Sequence, residues 1–374
     1  MSTTHGPSPR HARRIPRRRR IATALCVPTA LAALAATPSA ISLVRTAEPA
    51  LAAPVRSSAQ IAAAYGPSTP VPLTGPGSAW RTSVRSAPVN HDSSTMVSDL
   101  VRQVAHGPAN TAAFNVWQYN APIVWANRTT PRYDVRFTDC QHKGHTPKGL
   151  TGKGGVFTAV PIPSYASAAP GRDAHLTVWE PDTDQVWDFW HMQKTSAGWQ
   201  ACWGGRIDKL SKSAGYFPNG FGASASGALV AAGAITVRDV RAGHIDHALS
   251  LAIRDYAGWK NWSFPAQRSD GSASSGSRIL MGTRFRLPAS VDINRLGLTP
   301  IGKMIARAAQ EYGFIVTDKS GVVAVTAQSG ATMAVQNHSA DPWSALLGST
   351  KSYQVMANFP WNRLQALPKD YGKH

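Results

Sequence analysis

Short segments in which apolar and polar residues alternate constrain the fold of this chain more than any other feature. Residues 175–180 (His-Leu-Thr-Val-Trp-Glu) and 186–190 (Val-Trp-Asp-Phe-Trp) show the period of two that is typical of a β-strand. Residues 181–184 between them (Pro-Asp-Thr-Asp) have the composition of a hairpin turn. Short strands divided by turns predict a mostly β fold, an antiparallel β-sandwich, rather than alternating β/α units.

One helix is predicted within this β-rich chain, near residues 300–312. Thr299 followed by Pro300 is a typical helix start, and Gly313 is a typical end. Residues 314–325 then predict a strand, a turn and a second strand. The helix is therefore expected to cap one open end of the sandwich. Its core-facing residues, at helical spacing, are Ile301, Met304, Ile305, Ala308 and Ala309.

The first 109 residues predict an export signal followed by a linker. Seven arginines and no acid lie within residues 1–20, an apolar stretch follows, and small residues allow cleavage after Ala40 or Ala53. Residues 1–53 are thus a predicted signal peptide, and the mature protein is expected outside the cell without a stable membrane anchor. Residues 54–109, rich in Pro, Ser and Ala, predict a linker or loosely attached arm, so residues 110–374 would form a single β-rich domain.

Two cysteines remain in the mature chain, Cys140 and Cys202. In an oxidising compartment an even pair usually forms a disulfide, so these two residues are predicted to be bonded. They have no clustered histidines beside them, and the sequence predicts no metal site.

The composition excludes several classes of protein. The chain carries a net charge of +19, yet only 16% of its residues are charged and twelve are Trp. This combination argues against disorder and against a coiled coil. No phosphate-binding loop, dinucleotide fingerprint or zinc-protease helix is present, so no cofactor is predicted. No basic run follows residue 20, and export disfavours a nucleic-acid partner.

A set of polar residues among aromatics indicates β-elimination on an acidic sugar. His175 begins an alternating strand, and Asp246 lies beside His247, whose ring it could orient. Tyr216 lies in a Gly- and Pro-rich loop. A histidine base, a tyrosine acid and a basic residue such as Arg206 would suffice for the reaction. The predicted catalytic residues are therefore His175, His247, Tyr216 and Asp246.

Hydrolysis is the alternative chemistry, and it needs two carboxylates about 5–10 Å apart. The candidates are Asp173, Glu180, Asp188 and Asp246. Asp188 is the most suggestive because it lies between Trp187 and Phe189 on the aromatic strand.

Tryptophan is the most informative residue type, because its ring stacks on sugars and its N–H can bind a hydroxyl group. Trp187 is expected to share a strand face with Phe189, and Trp190 with Asp188. A long polar loop at 265–277 is of the length that is mobile or functional. The predicted substrate-binding residues are Trp179, Trp190, Trp203, Arg206 and Asp188.

Six segments between residues 162 and 367 resemble a largely uncharacterised family of exported actinobacterial proteins. The segments are 173–182, 199–205, 243–249, 282–287, 308–313 and 359–361. This resemblance implies a single exported domain and no particular activity. A broader likeness is to the jelly-roll sandwiches of many polysaccharide lyases and lectins, which implies architecture only.

Two functions remain open from the sequence. The first is an exported carbohydrate-active enzyme that acts on an extracellular, acidic polysaccharide by β-elimination or endo-hydrolysis. Its positive charge would concentrate an anionic substrate. The second is a non-catalytic protein that binds a glycan or the cell wall on the same scaffold. The oligomeric state is left open.

Overall fold

A computed structural model describes residues 73–272 and 275–373, and the predicted signal peptide lies outside these residues. The helices are α1 (Ser93–Val104), α2 (Val237–Ala242), α3 (Pro300–Glu311), α4 (Gly330–Asn337) and α5 (Pro342–Leu347). The strands are β1 (Ala113–Asn115), β2 (Ile123–Trp125), β3 (Arg132–Tyr133), β4 (Arg136–Phe137), β5 (Val160–Pro161), β6 (Leu176–Glu180), β7 (Gln185–Trp190), β8 (Gln193–Thr195), β9 (Gly198–Ala201), β10 (Trp203–Asp208), β11 (Leu249–Ile253), β12 (Arg284–Arg286), β13 (Phe314–Lys319), β14 (Ala324–Thr326) and β15 (Gln365–Ala366).

The largest sheet has six strands in the order β1-β14-β11-β13-β12-β15. The pairs β1–β14 and β11–β13 are parallel, whereas β11–β14, β12–β13 and β12–β15 are antiparallel. The sheet is therefore mixed. Two hydrophobic cores flank this sheet: the first includes Leu251, Phe285 and Ile305, and the second includes Val178, Trp187 and Phe189. Strand β13 contributes to both, since Phe314 and Val316 belong to the first core and Ile315 belongs to the second.

A second sheet has four strands in the order β10-β7-β6-β2. The hairpin predicted at residues 175–190 forms its centre, with β6 and β7 antiparallel and joined across 181–184. Strand β2 is added in parallel to β6. Two smaller sheets have the strand orders β3-β5 and β4-β9-β8.

The mostly β fold is confirmed, and so is the helix near 300–312. Helix α3 begins where the Thr299 side chain accepts a hydrogen bond from the Gly302 N–H. It buries all five apolar residues that the spacing selected. The strand orders do not confirm a jelly-roll arrangement. The disulfide between Cys140 and Cys202 is present.

The predicted arm at 54–109 is corrected over its described part. Trp80 is fully buried and donates its indole N–H to the Gly215 carbonyl oxygen at 2.9 Å. Helix α1 buries Met96 and Leu100 in the first core. The Pro- and Ser-rich composition hid these few apolar anchors, so residues 73–109 belong to the folded body rather than to a linker.

Candidate active site

A cleft of about 1020 Å³ opens between the six-stranded and the four-stranded sheets. Strands β6, β7 and β10 supply one wall, and strands β11, β13 and β14 supply the other. The loops around 220–225 and 268–270 close its side. The cleft collects acidic, basic and aromatic side chains together. It is therefore the candidate active site.

The strand register brings one predicted group together on a single sheet face. Asp188 on β7 lies opposite Thr177 on β6, and Trp190 lies opposite Trp203 on β10. Residues paired directly across a sheet share a face, so these four side chains point the same way. His175 precedes β6 on the same face, and all five residues line the cleft. The predicted pairing of Trp190 with Asp188 on one face is thus confirmed.

Asp188 is a buried carboxyl group on the cleft floor. It is 2% exposed, and it accepts hydrogen bonds from the Thr177 hydroxyl group at 2.9 Å and from the Ala223 N–H. Burial raises the pKa of Asp188 to about 6, against the lowering effects of the His175 charge and the two hydrogen bonds. The nearby charge of Asp318 raises this pKa further.

Asp318 enters the cleft because strand β13 contains a β-bulge. Leu251 pairs with Val316, but the next residue, Ala252, pairs with Asp318, so Thr317 is the extra residue. Strict alternation would place Asp318 on the same face as Val316, in the first core. The bulge instead turns Asp318 to the face of Ala252, which lines the cleft.

Asp318 also carries a raised pKa. Burial raises the pKa of its carboxyl group to about 7, and the charges of Asp270 and Asp173 in the same cleft act in the same direction. The N–H groups of Ala225 and Lys319 donate to its Oδ1 atom at 3.0 and 2.9 Å and oppose the rise. The cleft therefore holds two carboxyl groups that are protonated near neutral pH or just below it.

The segment 220–225 reaches Asp188 because glycine lies beside it on the neighbouring strand. Gly205 pairs with Asp188, and a Cβ atom at Gly205 would lie 2.5 Å from the Gly222 nitrogen. The Gly222 N–H donates to the Gly204 carbonyl oxygen at 3.0 Å. A larger residue at position 205 would push the segment away from the carboxyl groups.

Two tryptophans line the cleft beside these acids. The Trp190 indole N–H donates to Asp173 Oδ1 at 3.2 Å. The Trp203 ring packs 5.5 Å from Phe221 and carries Lys143 Nζ 4.2 Å from its centroid. Both rings are partly exposed, so they provide flat surfaces on which a sugar ring could stack.

Two buried polar atoms of the cleft wall have no hydrogen-bond partner among the described residues. Asn120 donates from Nδ2 to the Val116 carbonyl oxygen at 2.7 Å, which leaves its Oδ1 atom unpaired. The Thr317 hydroxyl group at the bulge is also unpaired. Asn120 is 3% exposed and Thr317 is 1% exposed. Since buried polar groups are nearly always bonded, these two atoms indicate positions where a polar ligand binds.

His247, a predicted catalytic residue, is buried and does not line the cleft. Its Nδ1 bonds the Ala248 carbonyl oxygen at 2.8 Å, and its Nε2 lies 3.4 Å from Asp239 Oδ2. Burial lowers the pKa of His247, but the hydrogen bond and charge of Asp239 outweigh burial and raise it overall. His247 is therefore a structural histidine that fixes the start of helix α2, where Thr236 is the N-cap and its N–H and hydroxyl group both donate to Asp239 Oδ2 at 2.7 Å.

The remaining predicted residues also lie outside the cleft lining. Tyr216 packs edge-on against Phe264 at 6.0 Å, and Asp246 is exposed and paired with His244 at 3.2 Å. Trp179 is buried against Trp125. Two further residues have partners elsewhere: Arg206 is paired with Asp208, and Glu180 is paired with Arg132.

The structure adds cleft residues that the sequence did not single out. Asp318 depends on a bulge that is set by the partner strand, and Asn120 and Thr317 are ordinary polar residues in sequence. Asp270 and Arg268 come from the polar loop at 265–277, whose length was the available signal.

Neither a metal cluster nor a membrane span is found in the described part of the chain. That part of the chain contains no group of three or more His, Cys, Asp or Glu side chains that could hold a metal ion. Among residues 73–272 and 275–373, no helix has the length and apolar character needed to cross a membrane.

Comparison with known proteins returns no match. No family model, no curated protein and no solved structure matches this chain. The resemblance to exported actinobacterial proteins therefore stays a prediction.

Proposed function

We propose that the protein hydrolyses glycosidic bonds of an extracellular, acidic polysaccharide in this cleft. The observation that carries the proposal is the placement of Asp188 and Asp318 in one cleft, with pKa values raised to about 6 and about 7, beside two partly exposed tryptophans. Two carboxyl groups whose environments give them different pKa values are the usual requirement of glycoside hydrolysis.

The two carboxyl groups take different roles near pH 6.5. Asp318, with the higher pKa, holds a proton and donates it to the glycosidic oxygen as the C–O bond breaks. Asp188, with the lower pKa, is the ionised partner that stabilises the positive charge developing on the sugar ring and accepts a proton from the attacking water. The oxygen of that water ends on the sugar carbon. The rate should therefore peak between about pH 6 and about pH 7, since it falls when Asp188 is protonated and when Asp318 is ionised.

The cleft lining suits a sugar chain. Trp190 and Trp203 supply stacking surfaces, and Asn120 and Thr317 supply unpaired polar atoms for hydroxyl groups. Lys143, Arg172 and Lys319 are exposed on the lining and add positive charge that favours acidic sugars.

The geometry favours hydrolysis over the β-elimination set chosen from sequence. That set needed His175, His247 and Tyr216 around one substrate, and only His175 lines the cleft. His175 instead acts on Asp188, whose pKa its charge lowers. His175 thereby helps to keep the pKa of Asp188 below that of Asp318.

The test is digestion of a panel of acidic and neutral polysaccharides by the purified protein. New reducing ends without unsaturated uronates are expected. Asp188→Asn should abolish them, and Asp246→Asn, an equivalent change at an exposed acid outside the cleft, should not.

Two outcomes would contradict the proposal. Unsaturated uronates would mean elimination and return His175 to the role of base. Binding of a glycan without cleavage would leave the cleft a recognition site, as the non-catalytic alternative holds.

A further inference from the structure

Arg268 lies in the wall of the cleft, yet its side chain is fully engaged with backbone. Its Nε atom donates to the Ala225 carbonyl oxygen at 3.3 Å, and Nη2 donates to Gly222 and Ser224 at 2.8 and 2.6 Å. Nη1 donates to the Gly220 and Phe221 carbonyl oxygens. A guanidinium has five N–H donors, so none is left for a substrate.

The carbonyl groups that Arg268 binds belong to the segment that holds both acids. The Ala223 N–H of this segment donates to Asp188, and the Ala225 N–H donates to Asp318 at 3.0 Å. The 220–225 segment is therefore bonded through its carbonyl groups to Arg268 and through two N–H groups to the two carboxyl groups.

Burying the positive charge of Arg268 costs free energy, so this arrangement is expected to have a structural purpose. The guanidinium is largely buried and its pKa is lowered by burial, with the charges of Asp318 and Asp270 opposing the change. Its hydrogen bonds run to neutral carbonyl groups rather than to either carboxylate. A buried charge used in this way fixes the path of a segment that contains no helix or strand long enough to fix itself.

We infer that Arg268 is a positioning residue that sets the protonation of Asp188 and Asp318 together, through the backbone of 220–225. This inference rests on the proposed function for its meaning, since it assigns a role to a residue that does not contact substrate. Its physical content, the coupling of one guanidinium to two carboxyl groups, stands apart from any activity.

The variant that isolates this role is Arg268→Lys. Lysine keeps the positive charge but has three donors on one atom, so it cannot bind five carbonyl groups. The segment should then move, and both carboxyl groups should lose a backbone N–H. Because those N–H bonds favour the ionised form, both pKa values should rise together above about 6 and about 7.

The measurement is a pH titration of the two aspartate carboxyl groups by NMR in the full protein, which needs no substrate. Arg286→Lys is the matched control, because Arg286 also binds carbonyl groups, those of Val84 and Arg85, away from the cleft. A joint upward movement in Arg268→Lys and none in Arg286→Lys is expected. Unchanged pKa values in a folded Arg268→Lys variant would overturn the inference.

A second measurement covers a variant that fails to fold. In the unmodified protein, the amide resonances of Ala223 and Ala225 should shift with pH at the midpoints of Asp188 and Asp318 respectively. Amides that do not respond would also overturn the inference. If the coupling is present but no glycan is cleaved, the positioning role holds and the proposed hydrolysis fails, so the two failures are distinguishable.

Discussion

Buried acids inside and outside the cleft have different kinds of hydrogen-bond partner. Outside the cleft, Glu180 is paired with Arg132 at 2.6 Å and with the Thr183 hydroxyl group, and Asp239 faces His247 at 3.4 Å. In the cleft, the donors to Asp188 and Asp318 are neutral, a hydroxyl group and backbone N–H groups. Burial raises the pKa of Asp188 to about 6 and that of Asp318 to about 7.

An acid with a charged partner contributes to the stability of the fold, whereas an acid without one lowers that stability when it is ionised. A buried carboxylate beside a cation is compensated, whereas one bonded only by neutral donors is stabilised by taking up a proton. Uncompensated acids persist where their protonation is used, which is the physical basis for locating the site in the cleft.

The largest expected effect is on the pH dependence of stability. Folded pKa values of about 6 and about 7 lie above the ordinary aspartate value, so between about pH 4 and pH 7 the folded state binds more protons than the unfolded chain. The free energy of unfolding should therefore fall as pH rises through this range, by on the order of 7 kcal/mol from these two groups. Chemical denaturation at several pH values measures the slope.

The double variant Asp188→Asn/Asp318→Asn provides the control for that slope. Most of the slope should disappear, since the neutral amides do not titrate. A slope of the same size in the double variant would mean that other groups cause it. The distinction between acids inside the cleft and acids outside it would then be lost.

A smaller effect, about 3 kcal/mol, is expected when His247→Ala removes the buried pair of His247 and Asp239. The change leaves Asp239 buried without its imidazole and should lower the free energy of unfolding by that amount. Activity at a temperature well below unfolding should stay within twofold. His244→Ala, which removes an exposed imidazole paired with Asp246, should cost less than about 0.5 kcal/mol. Loss of activity in a folded His247→Ala variant would return that residue to the site.

The pair formed by His247 should also weaken with rising pH. Its pKa is raised in the folded state, so its contribution is complete below the ordinary histidine value and is lost as pH rises through the folded value. This loss begins near the ordinary histidine value, at the upper end of the range of Asp188 and Asp318, so it adds to the decline there. His247→Ala should remove only this part of the decline.

The smallest expected effect comes from the aromatic wall. Trp203→Ala should raise KM about fivefold, equivalent to about 1 kcal/mol, with little change in kcat, because stacking contributes to binding throughout the reaction. Trp259→Ala is the control, since Trp259 is 54% exposed and does not line the cleft. Equal effects of the two changes would mean that the sugar chain does not run past Trp203.

Local patterns were sufficient to predict the hairpin, the helix and some of the residues that line the cleft. Alternation placed Asp188 and Trp190 on one strand face, and the helical spacing after Thr299 located α3. The pairing of Cys140 with Cys202 followed from the prediction of export and from the even number of cysteines. These features depend on near neighbours in the chain or on simple counting.

The rest of the site depends on contacts between distant segments. Asp318 faces the cleft only because β13 slips by one residue against β11, and no feature of 314–325 alone reveals the slip. His247 looked catalytic because Asp246 is its neighbour in sequence, yet its partner is Asp239 on α2. The role proposed for Arg268 depends on its hydrogen bonds to a segment more than 40 residues away.

One measurement tests the central claim most directly, namely glycan cleavage and unfolding free energy of Asp318→Asn determined together at about pH 7.5. Asparagine can keep both N–H bonds, since Ala225 and Lys319 both donate to Oδ1. The amide removes the carboxylate charge but cannot donate the proton. We predict that cleavage falls by about 100-fold or more while stability rises. Retained cleavage, or a loss of stability, would contradict the account.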